Sequence, residues 1–423
     1  MIQIINDFSG ASLGEYRIQE QAITAVFRKE PHADKDWIRH DYNWHFIFGV
    51  RNSSDAAAPV EIYLNCEKPE PLPCRAAIFG QNDVDSEFQP LNDIEALTDT
   101  LKKYVLKLTL SAGETRFLSN TYFRSLRFLE NRFSRLSENE HCGKEIFGRS
   151  VEGRDLTAYV YSRTRNFEDG KPVFVVTSGF HPMEADTFAT EAHMEFLSDA
   201  GGRRLLSDFH FVIIPVVNPD GFFHGYNSCN AKGINLYWNF AEQDNMNAPE
   251  AYHLWRYIQK IRPALYLDFH SYTFQLHRKK ASPYLKPLYF YRGAGVQDLV
   301  RAIDRELLAL HDGSAERGPL TFAPSTLASK LTRRWNTITY AKYHLHIGEG
   351  KDAYKKKAVS ILDKITRTFI EKGFVDRKKI LTSPEGETRD RLSDKLKRTF
   401  RTTWIFRVKY PLLRLRSKLK GAA

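Results

Sequence analysis

The sequence predicts an α/β protein: a mixed-sheet α/β/α domain preceded by a small antiparallel β-sandwich. Three observations predict it. Residues 1–118 carry short β-branched and aromatic runs and no long helical pattern. Across residues 119–374, apolar strand-like runs alternate with amphipathic helical patterns, as expected of a sheet covered on both faces. Residues 375–423 form a third segment, basic and amphipathic in composition. A chain of 423 residues with 42% hydrophobic content has room for two or three domains and a sizeable core.

In the first segment, residues 43–50, 60–64 and 104–110 read as strands, separated by turn-rich pieces such as Asn52-Ser53-Ser54-Asp55. The second segment opens with a helix over 122–136, where Phe123, Leu126, Leu129, Phe133 and Leu136 recur three or four apart. Strands are then predicted at 156–161, 173–177, 211–217, 264–269 and 289–291. Helices are predicted at 187–197, 249–261, 296–310 and 353–372.

The net charge of +11 sits almost wholly in the last segment: from Asp376 onward fifteen Lys/Arg face five Asp/Glu. The rest of the chain is nearly neutral, so the charge balance gives no nucleic-acid signal for the main body. Between Lys397 and Lys420, nine basic residues are interleaved with Phe400, Trp404, Ile405, Phe406 and several leucines, and no acid interrupts them. Such a segment suits an anionic membrane surface, or a solvated or partner-docked extension. Cys66, Cys74, Cys142 and Cys229 show no CxxC spacing. There is no basic-then-apolar leader and no apolar run of bilayer length. A cytoplasmic protein, peripheral to the membrane if the tail binds it, is the expectation.

The chemistry concentrates where a strand gives way to a helix. His181-Pro182-Met183-Glu184 follows the apolar run Val173-Phe174-Val175-Val176 and precedes the helical pattern from Thr187. A His and a Glu three apart at such a junction can close on one metal ion. A second strand, Ala264-Leu265-Tyr266-Leu267-Asp268-Phe269-His270, delivers Asp268 and His270 to one face, because strand side chains repeat every two residues. Two histidines and a carboxylate leave a fourth position open on Zn2+, as hydrolytic sites require.

The order of motifs resembles the zinc metallocarboxypeptidases of the carboxypeptidase A clan (peptidase family M14), and within them the cytosolic carboxypeptidase branch. The resemblance runs from about residue 120 to 370. Gly148-Arg149-Ser150-Val151-Glu152-Gly153-Arg154 is similar to the family's GxSxxGR entry, His181-Pro182-Met183-Glu184 to its HPxE motif, and Pro215-Val216-Val217-Asn218-Pro219-Asp220-Gly221 to its PxxNPDG segment. Asp268-Phe269-His270-Ser271 and Ile347-Gly348-Glu349 fall where the family has its third ligand and its catalytic glutamate. The resemblance implies zinc held by His181, Glu184 and His270, Glu349 as the acid/base, and a zinc-peptidase fold.

The segment after the NPDG motif departs from the family. Ser228 stands where the family has an oxyanion-assisting Arg, and Tyr237-Trp238 where it has an Asn-Arg carboxylate clamp. Asn235 stands where it has an Asp behind the first zinc histidine. Tyr and Trp cannot supply a bidentate guanidinium contact, whereas Asn235 can offer its amide oxygen to an imidazole N–H. The substrate-contacting positions are therefore expected at Ser228, Lys232, Tyr237 and Trp238, with Asn235 and Asp268 behind the ligands. Lys232, Arg333 or Arg334 are candidate replacement cations. The predicted substrate is a peptide or an acyl-amino acid. The alternatives are an amidohydrolase or deacylase with non-standard recognition, and a non-catalytic zinc-binding module.

Overall fold

Among the described residues, ten strands precede the first helix: β1 (Ile2–Ile5), β2 (Leu13–Gln19), β3 (Ala22–Phe27), β4 (Ile47–Asn52), β5 (Ala58–Asn65), β6 (Phe79–Gln81), β7 (Gln89–Pro90), β8 (Glu95–Thr100), β9 (Lys103–Leu110) and β10 (Thr115–Ser119). The computed structural model describes residues 1–31, 45–65, 78–100, 103–237, 240, 246–272, 282–285, 291–311, 326–346 and 350–381. The early strands form two five-stranded sheets, ordered β1-β4-β10-β6-β7 and β2-β3-β5-β9-β8. Alternating apolar residues of both sheets meet in one core that includes Ile23, Phe48, Val50, Ile62, Leu64 and Leu106. The expected antiparallel sandwich needs one correction. The first sheet is antiparallel throughout, but β3 and β5 pair in parallel in the second.

The remaining elements are α1 (Leu126–Leu136), β11 (Cys142–Arg149), β12 (Asp155–Tyr161), β13 (Val173–Thr177), α2 (Thr187–Ser198), α3 (Ala200–Arg203), β14 (His210–Ile214), α4 (Pro219–His224), α5 (Pro249–Ile261), β15 (Leu265–Tyr272), β16 (Ser282–Leu285), α6 (Ala294–Leu310), α7 (Leu327–Trp335), β17 (Ile338–His346) and α8 (Lys351–Glu371). Their seven strands lie in the order β11-β12-β14-β13-β15-β17-β16. The four central strands are parallel, and the three outer ones pair antiparallel. The expected mixed sheet is thus present.

Continuous apolar runs make the central strands two-sided. On β13, Phe174 and Val176 face a core shared with α2, α6 and α8, while Val173 and Val175 face a core shared with α5 and α7. Helix ends follow local chemistry. Ser125 caps α1 by accepting from the Phe128 N–H, so the helix starts at Leu126 and not at 122. Asn218 caps α4 in the same way, with Pro219 at its first position. Strand β14 stops at Ile214 because Pro215 has no N–H for the ladder. Residues 289–290 of the strand predicted at 289–291 lie outside the described residues, as does the chain from 382 onward with the amphipathic basic run. Among the described residues no helix is long and apolar enough to cross a membrane.

Candidate metal centre

Strand β13 ends at Thr177, and the nine residues to Asp186 carry the chain into α2. Gly179 sits in this loop with φ +68°. A Cβ there would lie 2.7 Å from the Pro215 carbonyl oxygen, so only glycine fits without strain. Its N–H donates to Asp186 at 3.1 Å and its carbonyl accepts from the Asn218 N–H at 3.0 Å. The loop then turns once more, with the Glu184 N–H donating to the His181 carbonyl at 3.0 Å. That turn puts the side chains of His181 and Glu184 on one side, outside the helix that follows.

Strand β15 lies beside β13 in parallel, with Thr177 opposite Asp268. The Thr177 hydroxyl donates to Asp268 Oδ1 at 3.0 Å. Two residues further, His270 reaches Glu184. The Nδ1 atoms of His181 and His270 approach Glu184 Oε1 and Oε2 at 3.0 and 2.9 Å. One ligand atom from each of the three residues lies within 4.8 Å of the other two, and all three side chains are buried. Burial alone would raise the Glu184 carboxyl, but the two imidazoles hold it well below the usual carboxylate range. Burial opposes charge on His270 too, yet Asp268 and Glu184 push it up to about 10.

The arrangement fits a zinc ion by its own chemistry. Both imidazoles turn Nδ1 toward the shared carboxylate, and Asp268 Oδ2 stands 3.2 Å from Nε2 of His270. A carboxylate behind the distal nitrogen orients the ring and fixes the tautomer that presents Nδ1 as a lone pair. Two histidines, one glutamate and an open position form the donor set of hydrolytic zinc.

The structure places the other predicted residues as follows. Asn235 is beside His181, but its amide oxygen accepts from the Tyr237 N–H at 3.1 Å, which leaves Nδ2 facing His181 Nε2 at 3.5 Å. The expected acceptance from the ring through that oxygen is therefore not what is observed. Tyr237 packs edge-on against His270 at 5.3 Å between ring centroids and lies 6.1 Å from His181. With Phe180, Phe240, Tyr266 and Leu327 it walls a narrow space beside Asp268. Ser228 is fully buried and donates its N–H to Glu30. Lys232 is exposed. Arg334 stands over the Trp255 and Trp335 rings at 5.8 and 5.5 Å. Glu349 and Trp238 lie outside the described residues. The other motifs have a structural use: Asp220 accepts from the Ser150 hydroxyl at 2.6 Å, from Arg154 at 2.7 Å and from the Glu152 N–H at 3.1 Å. Sequence reasoning misses Glu30, Thr121 and Asn227, whose contacts come from tertiary docking and carry no local pattern.

A family model described as zinc carboxypeptidase matches residues 127–285. Over that stretch the chain is similar to the zinc carboxypeptidases. Cytosolic carboxypeptidase 2 of Xenopus tropicalis is 28% identical to it over 163 residues, 36% of this chain and 17% of that protein. Cytosolic carboxypeptidase 4 of Homo sapiens is 32% identical over 111 residues, 24% of this chain and 10% of that protein. The chain thus spans less than a fifth of the length of either of these relatives. A metallo-carboxypeptidase from Burkholderia cenocepacia has the same fold, with a TM-score of 0.69 at 14% identity over 87% of this chain and 99% of that one. So does a metallo-carboxypeptidase from Pseudomonas aeruginosa, with a TM-score of 0.67 at 16% identity over 88% and 99%. The shared fold covers far more of the chain than the stretch that the family model matches.

Proposed function

We propose that this chain is a zinc-dependent hydrolase of amide bonds, a metallocarboxypeptidase-like peptidase. The observation that carries the proposal is the buried convergence of His181, Glu184 and His270, with Asp268 behind His270. Zinc bound there would supply Lewis acidity to an amide carbonyl and make a water acidic enough to ionise near neutral pH. The chain's own part is to hold that chemistry in place. Asp268, anchored by the Thr177 hydroxyl, orients His270. The turn from His181 to Glu184 sets two ligands on one side. Glu349 is assigned the proton transfer: its carboxylate takes a proton from the attacking water and returns it to the leaving amine.

The second reading is an amidohydrolase or deacylase that does not grip a terminal carboxylate. Tyr237 favours it, because an aromatic ring packed on the two histidines stands where a clamp residue is expected. Arg334, one of the candidate replacement cations, is engaged with two indoles.

The test is hydrolysis of peptides and acyl-amino acids offered in pairs, one with a free and one with an amidated C-terminus. Activity is expected to vanish with chelator and return with zinc. A preference for the free carboxylate selects the carboxypeptidase reading, and indifference to it selects the second. Glu349→Gln is expected to retain zinc and lose turnover by several orders of magnitude. Full turnover in that variant removes Glu349 from the reaction, and hydrolysis that persists in zinc-free protein removes the metal.

A further inference from the structure

Met183 lies between two of the proposed ligands and is held on three sides, directly by the N-terminal half of the chain on two of them and through Asn227 on the third. Its side chain is buried among Ile47, Phe79, Phe88 and Phe123, all from the N-terminal sheets or the segment that leaves them. Its carbonyl accepts from the hydroxyl of Thr121 at 3.1 Å, two residues past the end of β10. Its N–H donates to the side-chain oxygen of Asn227 at 3.0 Å. Asn227 is fixed in turn by Glu30, three residues beyond β3. The Glu30 carboxylate accepts from the N–H groups of Asn227 and Ser228, at 3.0 Å for Ser228 and Oε2, and from the Ser228 hydroxyl. Glu30 is 7% exposed and Asn227 3%, so no water competes freely for these bonds.

The same docking recurs next door. The Gly10 N–H donates to the Phe223 carbonyl at 2.8 Å, and Arg28 Nη1 donates to the His224 carbonyl at 2.9 Å. Gly225 allows the approach: at φ +68° its missing Cβ would fall 2.5 Å from the Gly10 oxygen.

We infer that the N-terminal sheets position the metal ligands: Glu30, through Asn227, and Thr121 fix the two peptide groups of Met183 and thereby hold His181 and Glu184 at ligand spacing. The inference rests on the zinc reading of the site. Glu30 and Thr121 are positioning residues, since neither belongs to the group of proposed ligands and both act through Met183. A peptide held from both faces loses little freedom on metal binding, and that preorganisation appears as affinity.

The experiment is the zinc dissociation constant of the full chain, by competition with a chromogenic chelator, for the parent, Glu30→Ala, Glu30→Gln, Thr121→Val and Leu64→Ala. Leu64 is fully buried in the sandwich core and is not part of the Met183 contacts, so its truncation reports loss of stability alone. Cobalt absorption of each variant reports ligand geometry. Glu30→Ala and Thr121→Val are expected to weaken zinc about tenfold or more and to alter the cobalt spectrum. Glu30→Gln keeps one acceptor oxygen and should fall between Glu30→Ala and the parent. Leu64→Ala should lower the melting temperature with affinity and spectrum unchanged. Parent affinity in Thr121→Val overturns the inference, and this near-isosteric variant decides alone if Glu30→Ala does not fold. Equal weakening in Leu64→Ala overturns it as well, by showing a global effect. A parent chain that binds no zinc overturns the zinc reading, and the inference falls with it.

Discussion

Asn235 distinguishes the two histidines of this centre. Behind His270 stands a carboxylate, and behind His181 stands an amide whose oxygen is already taken by the Tyr237 N–H. The amide nitrogen that remains is a donor, as is the Nε2–H of an imidazole that binds metal through Nδ1. Two donors facing each other weaken that ligand. Asn235→Asp places an acceptor against His181 and keeps one for Tyr237, so it is expected to tighten zinc binding about tenfold. Chelator competition measures it, and unchanged affinity would show that the amide reorients without penalty. The convergence of the three proposed ligands was legible in the sequence because its geometry is local: a three-residue spacing at a strand end, and a two-residue alternation that pairs Asp268 with His270. The direction of the Asn235 amide was not, since it depends on which neighbour claims the oxygen.

At the level of elements, the loop between β13 and α2 carries the greatest conformational demand. Gly179→Ala forces a side chain into left-handed backbone and against the Pro215 carbonyl. The expected destabilisation is about 2 kcal/mol or more, read from chemical denaturation of the metal-free protein. The contact of α2 with α8 makes a second prediction. His193 Nε2 is 2.8 Å from the Ala358 carbonyl, and burial lowers its pKa from 6.5 to about 4. A depressed histidine is neutral in the folded chain while the unfolded chain takes up the proton. Its contribution is therefore intact above pH 6.5 and is lost as pH falls toward 4, a loss of about 3 kcal/mol. His193→Gln keeps a donor for Ala358, and its unfolding free energy should decline less over that window by about the same amount. Strand β17 shows why element prediction stops where it does. Its apolar positions run Ile338, Tyr340 and then Tyr343, Leu345, a change of phase that hides the alternation. The pairing with β15 slips at the same place, between Leu267 and Phe269. Continuous runs such as those of β13 and β14 have no phase to lose, and both are predicted from sequence.

For the whole molecule, the architecture was legible as an order of segments and not as a set of contacts. Runs of short strands followed by alternating strands and helices give a sandwich and a covered sheet. They do not say that Glu30 meets Ser228, 198 residues away, or that Thr121 meets Met183. Those meetings depend on two surfaces docking, with Gly10 and Gly225 at closest approach. The parallel β3–β5 pair was hidden for a related reason: strand direction depends on the path of the connecting chain, and the strand runs themselves are symmetric.

The grip on Met183 also bears on the order of folding. The three proposed ligands come from residues 181, 184 and 270, and their supports from residues 30, 121 and 227. Closing such distant loops is slow, and the full set of ligands is available only once the chain has emerged past residue 270. On the zinc reading, tight capture of the ion is then expected to follow the docking of the two halves and not to nucleate it. Refolding followed by tryptophan fluorescence should proceed at the same rate with zinc present from the start or withheld to the end. Acceleration by early zinc would place the centre ahead of the docking that holds it.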